Sequence, residues 1–372
     1  MTAAPPPPGP TAPGPTAPGP SAPASPEGLT ADWFTLALRA GGCATTVVEA
    51  SAPRPVGTGQ MASCYRVGLA HERPGAGPAS VVVKMAAPGA GVLAANGYRN
   101  EVAFYRDVAP TVAVATPRCW YAAIDDAGAP FALVLDDLAP AEQGDQLAGC
   151  TADEARLCVE NLAGLHAPRW CDATLASFAP IEPDPGAAAM IGQFLRLATE
   201  AFCEHHAGEL SAADEQVLWA FAEAMPAWSA GRPRPFGVIH GDFRCDNLLF
   251  GRDDRGALTC HVVDWQTAGV ALPGRDLGYF LATSVGADDR RRHERELVAA
   301  YHERLVALGV RGYSLDECVE DYRYGAGHAV VVTVLGEYVA TRTDRGHRMF
   351  QVMAERTCAA LRDLDTLALV PG

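Results

Sequence analysis

Lysine is nearly missing from this chain of 372 residues: of its 29 basic residues 28 are arginine, and Lys84 is the single lysine. Positive charge is scarce altogether, since 44 acidic residues leave a formal net charge of -15 and an isoelectric point near 5.1. That balance excludes nucleic acid as a partner, because a protein that neutralises phosphates carries a basic stripe. The one basic run, Arg290-Arg291-Arg292, has acids on both sides and reads as a solvated helix face. The eleven cysteines are scattered and contain no C-x-x-C pair. An odd, dispersed set fits neither a disulfide framework nor a zinc site, and predicts a reducing compartment. No window reaches the ~18 uninterrupted apolar residues of a membrane helix, and the N-terminus lacks the basic-then-apolar order of a secretion signal. These absences predict a cytoplasmic protein without a membrane span; they leave its oligomeric state unknown.

What remains is a chain 49% apolar, long enough for two lobes around separate cores. Residues 1–26 are almost wholly Pro, Ala, Gly, Ser and Thr and repeat T-A-P-G-P. Such chains sample extended polyproline II and have little to bury, so this segment is expected to be a disordered tail. β-Branched runs at 45–50, 64–69, 81–85, 118–125 and 131–135 predict the strands of an N-terminal lobe over 27–138, interrupted by one helix at 96–108. Amphipathic segments at 152–166, 187–206, 212–229, 290–308, 315–340 and 347–364 predict a helical C-terminal lobe over 139–372. One short β-like stretch, 236–264, breaks it. The fold class expected is therefore α+β, a small β-rich lobe followed by a larger α-helical one.

Polar residues concentrate in that β-like stretch. Residues 238–250 read V-I-H-G-D-F-R-C-D-N-L-L-F and residues 261–266 read H-V-V-D-W-Q, so that two apolar strands deliver acids to their ends. Phosphoryl transfer needs an acceptor hydroxyl held by a carboxylate, and metal ions bridging the β- and γ-phosphates. Asp242 suits the first task. Asn247 and Asp264 offer the hard oxygens that magnesium accepts.

H-G-D-F-R-C-D-N followed by V-V-D-W-Q resembles the catalytic and metal loops of the aminoglycoside phosphotransferase and choline kinase superfamily, and within it the ecdysteroid-kinase-like branch. The resemblance covers roughly residues 56–280. It implies a protein-kinase-like two-lobed fold, the cofactors ATP and Mg2+, and transfer of the γ-phosphate to a hydroxyl of a small molecule. It implies that Asp242 is the catalytic base, that Asn247 and Asp264 bind magnesium, and that His240 supports the loop. The family pattern expects a phosphate-binding lysine on the third strand, and V-V-V-K ends in Lys84, with Glu101 expected on the first turn of the following helix as its partner. Gly57, Gly59 and Ser63, in V-G-T-G-Q-M-A-S, fit a loop whose backbone amides approach phosphate. Residues 131–138, F-A-L-V-L-D-D-L, resemble the hinge between lobes.

Arg244 stands where protein kinases place a lysine near the transferred phosphate; its charge either stabilises the γ-phosphate or pairs with Asp246 or another local acid. Trp265-Gln266 replaces the Phe-Gly of protein kinases and speaks against a switch like theirs. Asp276 matches the family's helix start after the metal loop, where an acid caps free amides and braces the catalytic loop. His166 reads as a capping or packing residue.

The acceptor is not identified by any motif. A cationic, aminoglycoside-like alcohol would suit the acidic C-terminal lobe, and a sterol or macrolide would suit Trp219, Trp228, Phe280, Tyr324 and Tyr338. Two other readings stand beside the small-molecule kinase: a catalytically silent nucleotide-binding module, whose sign would be loss of the base, a metal ligand or the lysine, and a protein kinase. All of those residues are present, and no A-P-E segment lies between Asp264 and Asp276.

Overall fold

The structure is a computed structural model that describes residues 19–57, 61–87, 89, 91–182 and 184–371. The chain divides into two compact units, one running to Pro110 and resuming over Pro117–Leu138, the other formed by Thr111–Thr116 and the chain from Ala139 onward.

The first unit opens with a helix, α1 (Ala31–Ala40), where only strands were expected. Thr30 caps it by accepting the Trp33 N–H at 3.2 Å, and Asp32 occupies its first turn. Trp33, Phe34, Ala37 and Leu38 then fall on one buried face, a helical spacing supported by the Ala, Leu and Arg residues of the segment. The strands are β1 (Val47–Ala50), β2 (Arg54–Val56), β3 (Ala62–His71), β4 (Ser80–Ala86), β5 (Cys119–Ile124) and β6 (Phe131–Asp136), with α2 (Val92–Ala103) between β4 and β5. They form an antiparallel sheet in the order β1-β3-β4-β6-β5, with β2 added to β3. Because side chains alternate along a strand, Val81, Val83 and Met85 of β4 enter the core with Trp33, Phe34 and Leu38, while Lys84 takes the opposite face. The helix expected at 96–108 begins earlier, at Val92, and its last part is a π-turn over Phe104–Val108 that buries Phe104, Tyr105 and Val108. Glu101 therefore lies in the last turn of α2 and not in its first.

The end of the Pro-rich segment also departs from expectation. Residues 1–18 lie outside the described residues, but Trp33 Nε1–H donates to the Ser21 carbonyl at 2.9 Å and Tyr121 O–H to the Pro20 carbonyl at 2.5 Å. An extended Pro-rich backbone leaves its carbonyls unpaired, and amphipathic Trp and Tyr side chains use them as acceptors.

The second unit contains α3 (Ala152–His166), α4 (Pro185–His205), α5 (Ala212–Gly231), α6 (Gly274–Ser284), α7 (Ala287–Ala307), α8 (Leu315–Gly325), α9 (His328–Val339) and α10 (Asp344–Leu364). Its short strands are β7 (Glu142–Gln143), β8 (Gly237–Ile239), β9 (Leu248–Arg252), β10 (Leu258–Val262) and β11 (Gly269–Ala271), pairing as β10-β9-β7 and β11-β8. Capping boxes start α3, from Thr151 with Glu154, and α8, from Ser314 with Glu317. The single helix expected over 315–340 is two helices. Its break follows from packing: Trp228 Nε1–H donates to the Tyr324 carbonyl at 2.9 Å, and Gly327 lies so close that a Cβ there would stand 2.4 Å from the Phe221 ring. None of the described helices is long and apolar enough to cross a membrane, and all eleven cysteines are free thiols.

Backbones touch where α6 crosses α8. A Cβ at Gly325 would stand 1.8 Å from the Gly274 carbonyl oxygen, and one at Gly278 would stand 2.3 Å from the Ala326 nitrogen. This contact fixes the start of α6, which carries Asp276. Gly325→Ala is predicted to force the helices apart and cost about 2–3 kcal/mol of stability. Thermal unfolding checks it; a midpoint within 1 °C of the parent would contradict the close crossing.

Candidate active site

In the first unit, β-pairing sets Lys84 opposite Cys64 on β3 and Leu133 on β6. Its ammonium donates to Glu101 Oε1 at 2.9 Å and lies 2.7 Å from Oε2 in an ion pair, with both residues buried. A buried charged pair of this geometry holds an ammonium in one place and leaves it little freedom. Gly57 follows β2 with φ +76°, a left-handed conformation, and has open space where a Cβ would lie. Ser63 is half-buried on β3 opposite Met85. Gly59 lies outside the described residues. Tyr98, which carried no expectation, stacks on Phe131 at 4.0 Å and donates its hydroxyl to the Met61 carbonyl, tying α2 to the chain that enters β3.

In the second unit, the chain leaves β8 at Ile239, turns through His240–Arg244 and a single 3-10 turn, Cys245–Asn247, and enters β9. Asp276, fully buried at the start of α6, organises this turn: one carboxylate oxygen accepts the His240 N–H at 2.6 Å, the other the Gly241 N–H at 2.9 Å. Burial pushes the Asp276 carboxyl up, but contact with His166 and the His240 N–H outweigh it and hold it below the usual range. Gly241, at φ +80°, has no room for a Cβ, which would fall 2.6 Å from the Thr267 carbonyl. His328 Nε2–H donates to the Gly241 carbonyl at 2.9 Å. His240 spends both ring nitrogens on the loop, donating Nε2–H to the Val263 carbonyl at 3.0 Å and accepting the Asp242 N–H on Nδ1 at 3.2 Å. His166 is buried between the Tyr301 hydroxyl, 2.7 Å from Nδ1, and Asp276, 3.4 Å from Nε2.

The turn presents Asp242, whose side chain is 23% exposed. Tyr279 O–H donates to its Oδ1 at 2.7 Å, and Asn247 Nδ2 donates both to Oδ2 at 2.9 Å and to the Asp242 carbonyl at 2.8 Å. Burial, with the Asp242 charge added, pushes the Tyr279 phenol well up, so it stays a donor. Arg244 Nε lies 3.0 Å from Asp242 Oδ1, and Nη1 reaches Asp246 at 3.4 Å and the Met349 sulfur at 3.0 Å. Burial disfavours the Arg244 charge, but Asp242 and Asp246 more than restore it and the guanidinium is held above its usual pKa. Asp246, the partner named for Arg244, is thus in reach, and Asp242 is a second local acid beside it. Asp246 also accepts from the Gln146 N–H at 2.9 Å and from Arg345 of α10 at 3.0 and 3.2 Å.

Asp264 follows β10 with φ +66°, the left-handed region that an aspartate enters at some cost. Trp265 beside it is buried, donates Nε1–H to Thr116 Oγ1 at 3.1 Å, and packs on His240 at 4.6 Å. Both Asn247 amide hydrogens are directed at Asp242, so the atom it offers as a hard-cation ligand is Oδ1. Of the aromatics considered for an apolar acceptor, Trp228, Phe280 and Tyr324 are core residues, whereas Trp219 and Tyr338 are exposed. Tyr279 and Arg345 were missed from sequence; only the D-L-G-Y string hinted at the first.

No curated protein sequence matches the chain. Among solved structures, a choline kinase from Cryptosporidium parvum Iowa II superposes with a TM-score of 0.56 at 9% identity, covering 87% of this chain and 92% of its own. The Plasmodium vivax ethanolamine kinase gives 0.50 at 8% identity, covering 82% of each chain. A point mutant of aminoglycoside 2'-phosphotransferase-IIIa in its GDP complex gives 0.52 at 15% identity, covering 83% and 92%. At such identities the likeness is one of fold, the protein-kinase-like phosphotransferase fold with a β-sheet N-terminal part and a helical C-terminal part. A family model extends over residues 57–310, more than half of the 372, and the chain belongs to the ecdysteroid kinase-like family.

Proposed function

We propose that the protein is an ATP-dependent small-molecule kinase that transfers the γ-phosphate to an alcohol. The observation that carries this reading is the Asp242 carboxylate, fixed by Tyr279 and Asn247 while its side chain keeps access to solvent. In the proposed reaction, the acceptor hydroxyl donates its proton to Asp242 as its oxygen bonds to the γ-phosphorus, and the bond to the β-phosphate oxygen breaks to release ADP. Lys84, oriented by Glu101, contacts the α- and β-phosphates, and the backbone after Gly57, with Gly59 and Ser63, covers them. Asn247 Oδ1 and Asp264 hold the magnesium ion, which neutralises phosphate charge when bound. Arg244, already beside Asp242, steadies the transferred phosphoryl group. The fold neighbours named choline and ethanolamine kinases support a small hydroxylated acceptor. The burial of Trp228, Phe280 and Tyr324 removes three residues from any apolar acceptor pocket. We place the reaction in the cytoplasm.

A magnesium-ATP turnover screen against pooled hydroxylated metabolites, sterols and antibiotics tests the reading, and ATP binding without turnover of any acceptor would favour a silent module. Asp242→Asn is expected to keep ATP affinity within a few-fold and to lose roughly 10²–10⁴ in transfer rate. Asp264→Asn should lose magnesium-dependent ATP binding and transfer together, because an amide is a poorer ligand for a hard cation. Calorimetry with a phosphate-transfer assay separates the two; parental rates in Asp242→Asn would remove it as the base. Lys84→Arg keeps the charge but exchanges a compact ammonium for a planar fork paired with a buried carboxylate. Turnover there should drop roughly 10- to 100-fold by misplacement alone; normal ATP use would take Lys84 out of the site.

A further inference from the structure

The densest cluster of metal-ligating side chains outside the loop lies where the end of α4 meets α9 and the start of α10. We propose that His205, His206, Glu337 and His347 form a binding site for a zinc-class divalent transition metal, which ties these three helices together. One ligand atom from each of the four lies within 4.8 Å of the others. His205 Nδ1 and His206 Nε2 approach Glu337 Oε1 at 3.1 and 3.0 Å. Those spacings are close to the ~3.3 Å edge of a tetrahedron drawn with the 2.0–2.1 Å bonds typical of zinc to imidazole and carboxylate.

The surrounding groups are arranged as outer partners of such a site. Glu209 Oε2 lies 3.2 Å from His206 Nδ1, the nitrogen not in contact with Glu337, and 2.9 Å from His347 Nε2, so one carboxylate orients two imidazoles. Carboxylates in that position fix the tautomer and aim of metal-binding histidines. His347 Nδ1 is buried and has no hydrogen-bond partner, which leaves a lone pair in the cluster unused. The three rings are crowded: His206 and His347 stack at 4.4 Å, and His205 lies 4.7 Å from His347 and 5.1 Å from His206. A hydrogen-bonded network alone gives no reason for three imidazoles to converge and leave one nitrogen empty. Imidazole and carboxylate donors suit zinc and its neighbours, whereas magnesium prefers oxygen throughout. A cavity of about 100 Å³, lined by His205, Glu337, Ala201, Val334 and Tyr338, opens beside the cluster and provides an entry path. Its role is structural, since His347 stands one half-turn after Arg345, the residue that clamps Asp246 below the catalytic turn.

The test uses tag-free full-length protein, dialysed against a chelator and then titrated with zinc chloride by calorimetry. The parent is expected to take up one tight equivalent at this site, and uptake there should be unchanged in Asp264→Asn. The double variant His205→Ala/His347→Ala should bind that equivalent at least 100-fold more weakly, and Glu209→Gln about 10- to 100-fold more weakly. Zinc should raise the thermal midpoint of the parent and not that of the double variant. No stoichiometric uptake by folded parent, or equal uptake by the double variant, would overturn the site. Should the double variant fail to fold, the exposed Glu209→Gln decides, and parental zinc affinity in it would overturn the proposal.

Discussion

The site depends on one buried carboxylate. Asp276 sits at the start of α6 with both oxygens committed to consecutive backbone N–H groups, those of His240 and Gly241. A charge removed from water is stable only if it is hydrogen-bonded on every side, and a loop amide is satisfied only if an acceptor reaches it. Each therefore requires the other. Once His240 and Gly241 are pinned, the left-handed Gly241 aims the chain so that Asp242 emerges toward solvent, where Tyr279, one turn after Asp276 on the same helix, meets its Oδ1. One helix thus supplies the brace of the turn and one of the donors to its exposed carboxylate, and the glycine contacts between α6 and α8 hold that helix in place.

Charge is used sparingly and in fixed positions around this frame. The single lysine is buried against Glu101; near the turn Arg244 lies beside both Asp242 and Asp246, and Arg345 donates to Asp246.

Legibility in the sequence followed locality. His240, Asp242, Asn247 and Asp264 fall within 25 residues, on two short strands and the turns that end them, and the string alone put them together. Lys84 stood out as a lone lysine, and its contact with Glu101 spans one strand and one helix. Tyr279, Gln146 and Arg345 reach the turn from 37, 100 and 99 residues away, and each sits in a segment whose pattern signals only helix or loop. The histidine cluster was invisible for the same reason, although the adjacent His205-His206 was a signal that the cysteine count overshadowed. Secondary structure failed where packing overrode pattern: α1 lies in a lobe whose remaining pattern is mostly strand, the α8–α9 break is set by Phe221 and Trp228, and the end of the Pro-rich segment is held by the Pro20 and Ser21 carbonyls and by Ala22 against the core.

The brace is tested most directly by backbone hydrogen exchange in Asp276→Asn. An asparagine keeps one acceptor but sets an amide N–H against the second loop donor, so the interaction lost is a charged hydrogen bond of about 1.5–3 kcal/mol. Exchange at His240 and Gly241 is expected to accelerate at least about tenfold, with the amides of α3 and α7 as protected as in the parent. Unchanged protection of those two amides in the variant would contradict the claim that this carboxylate holds the turn.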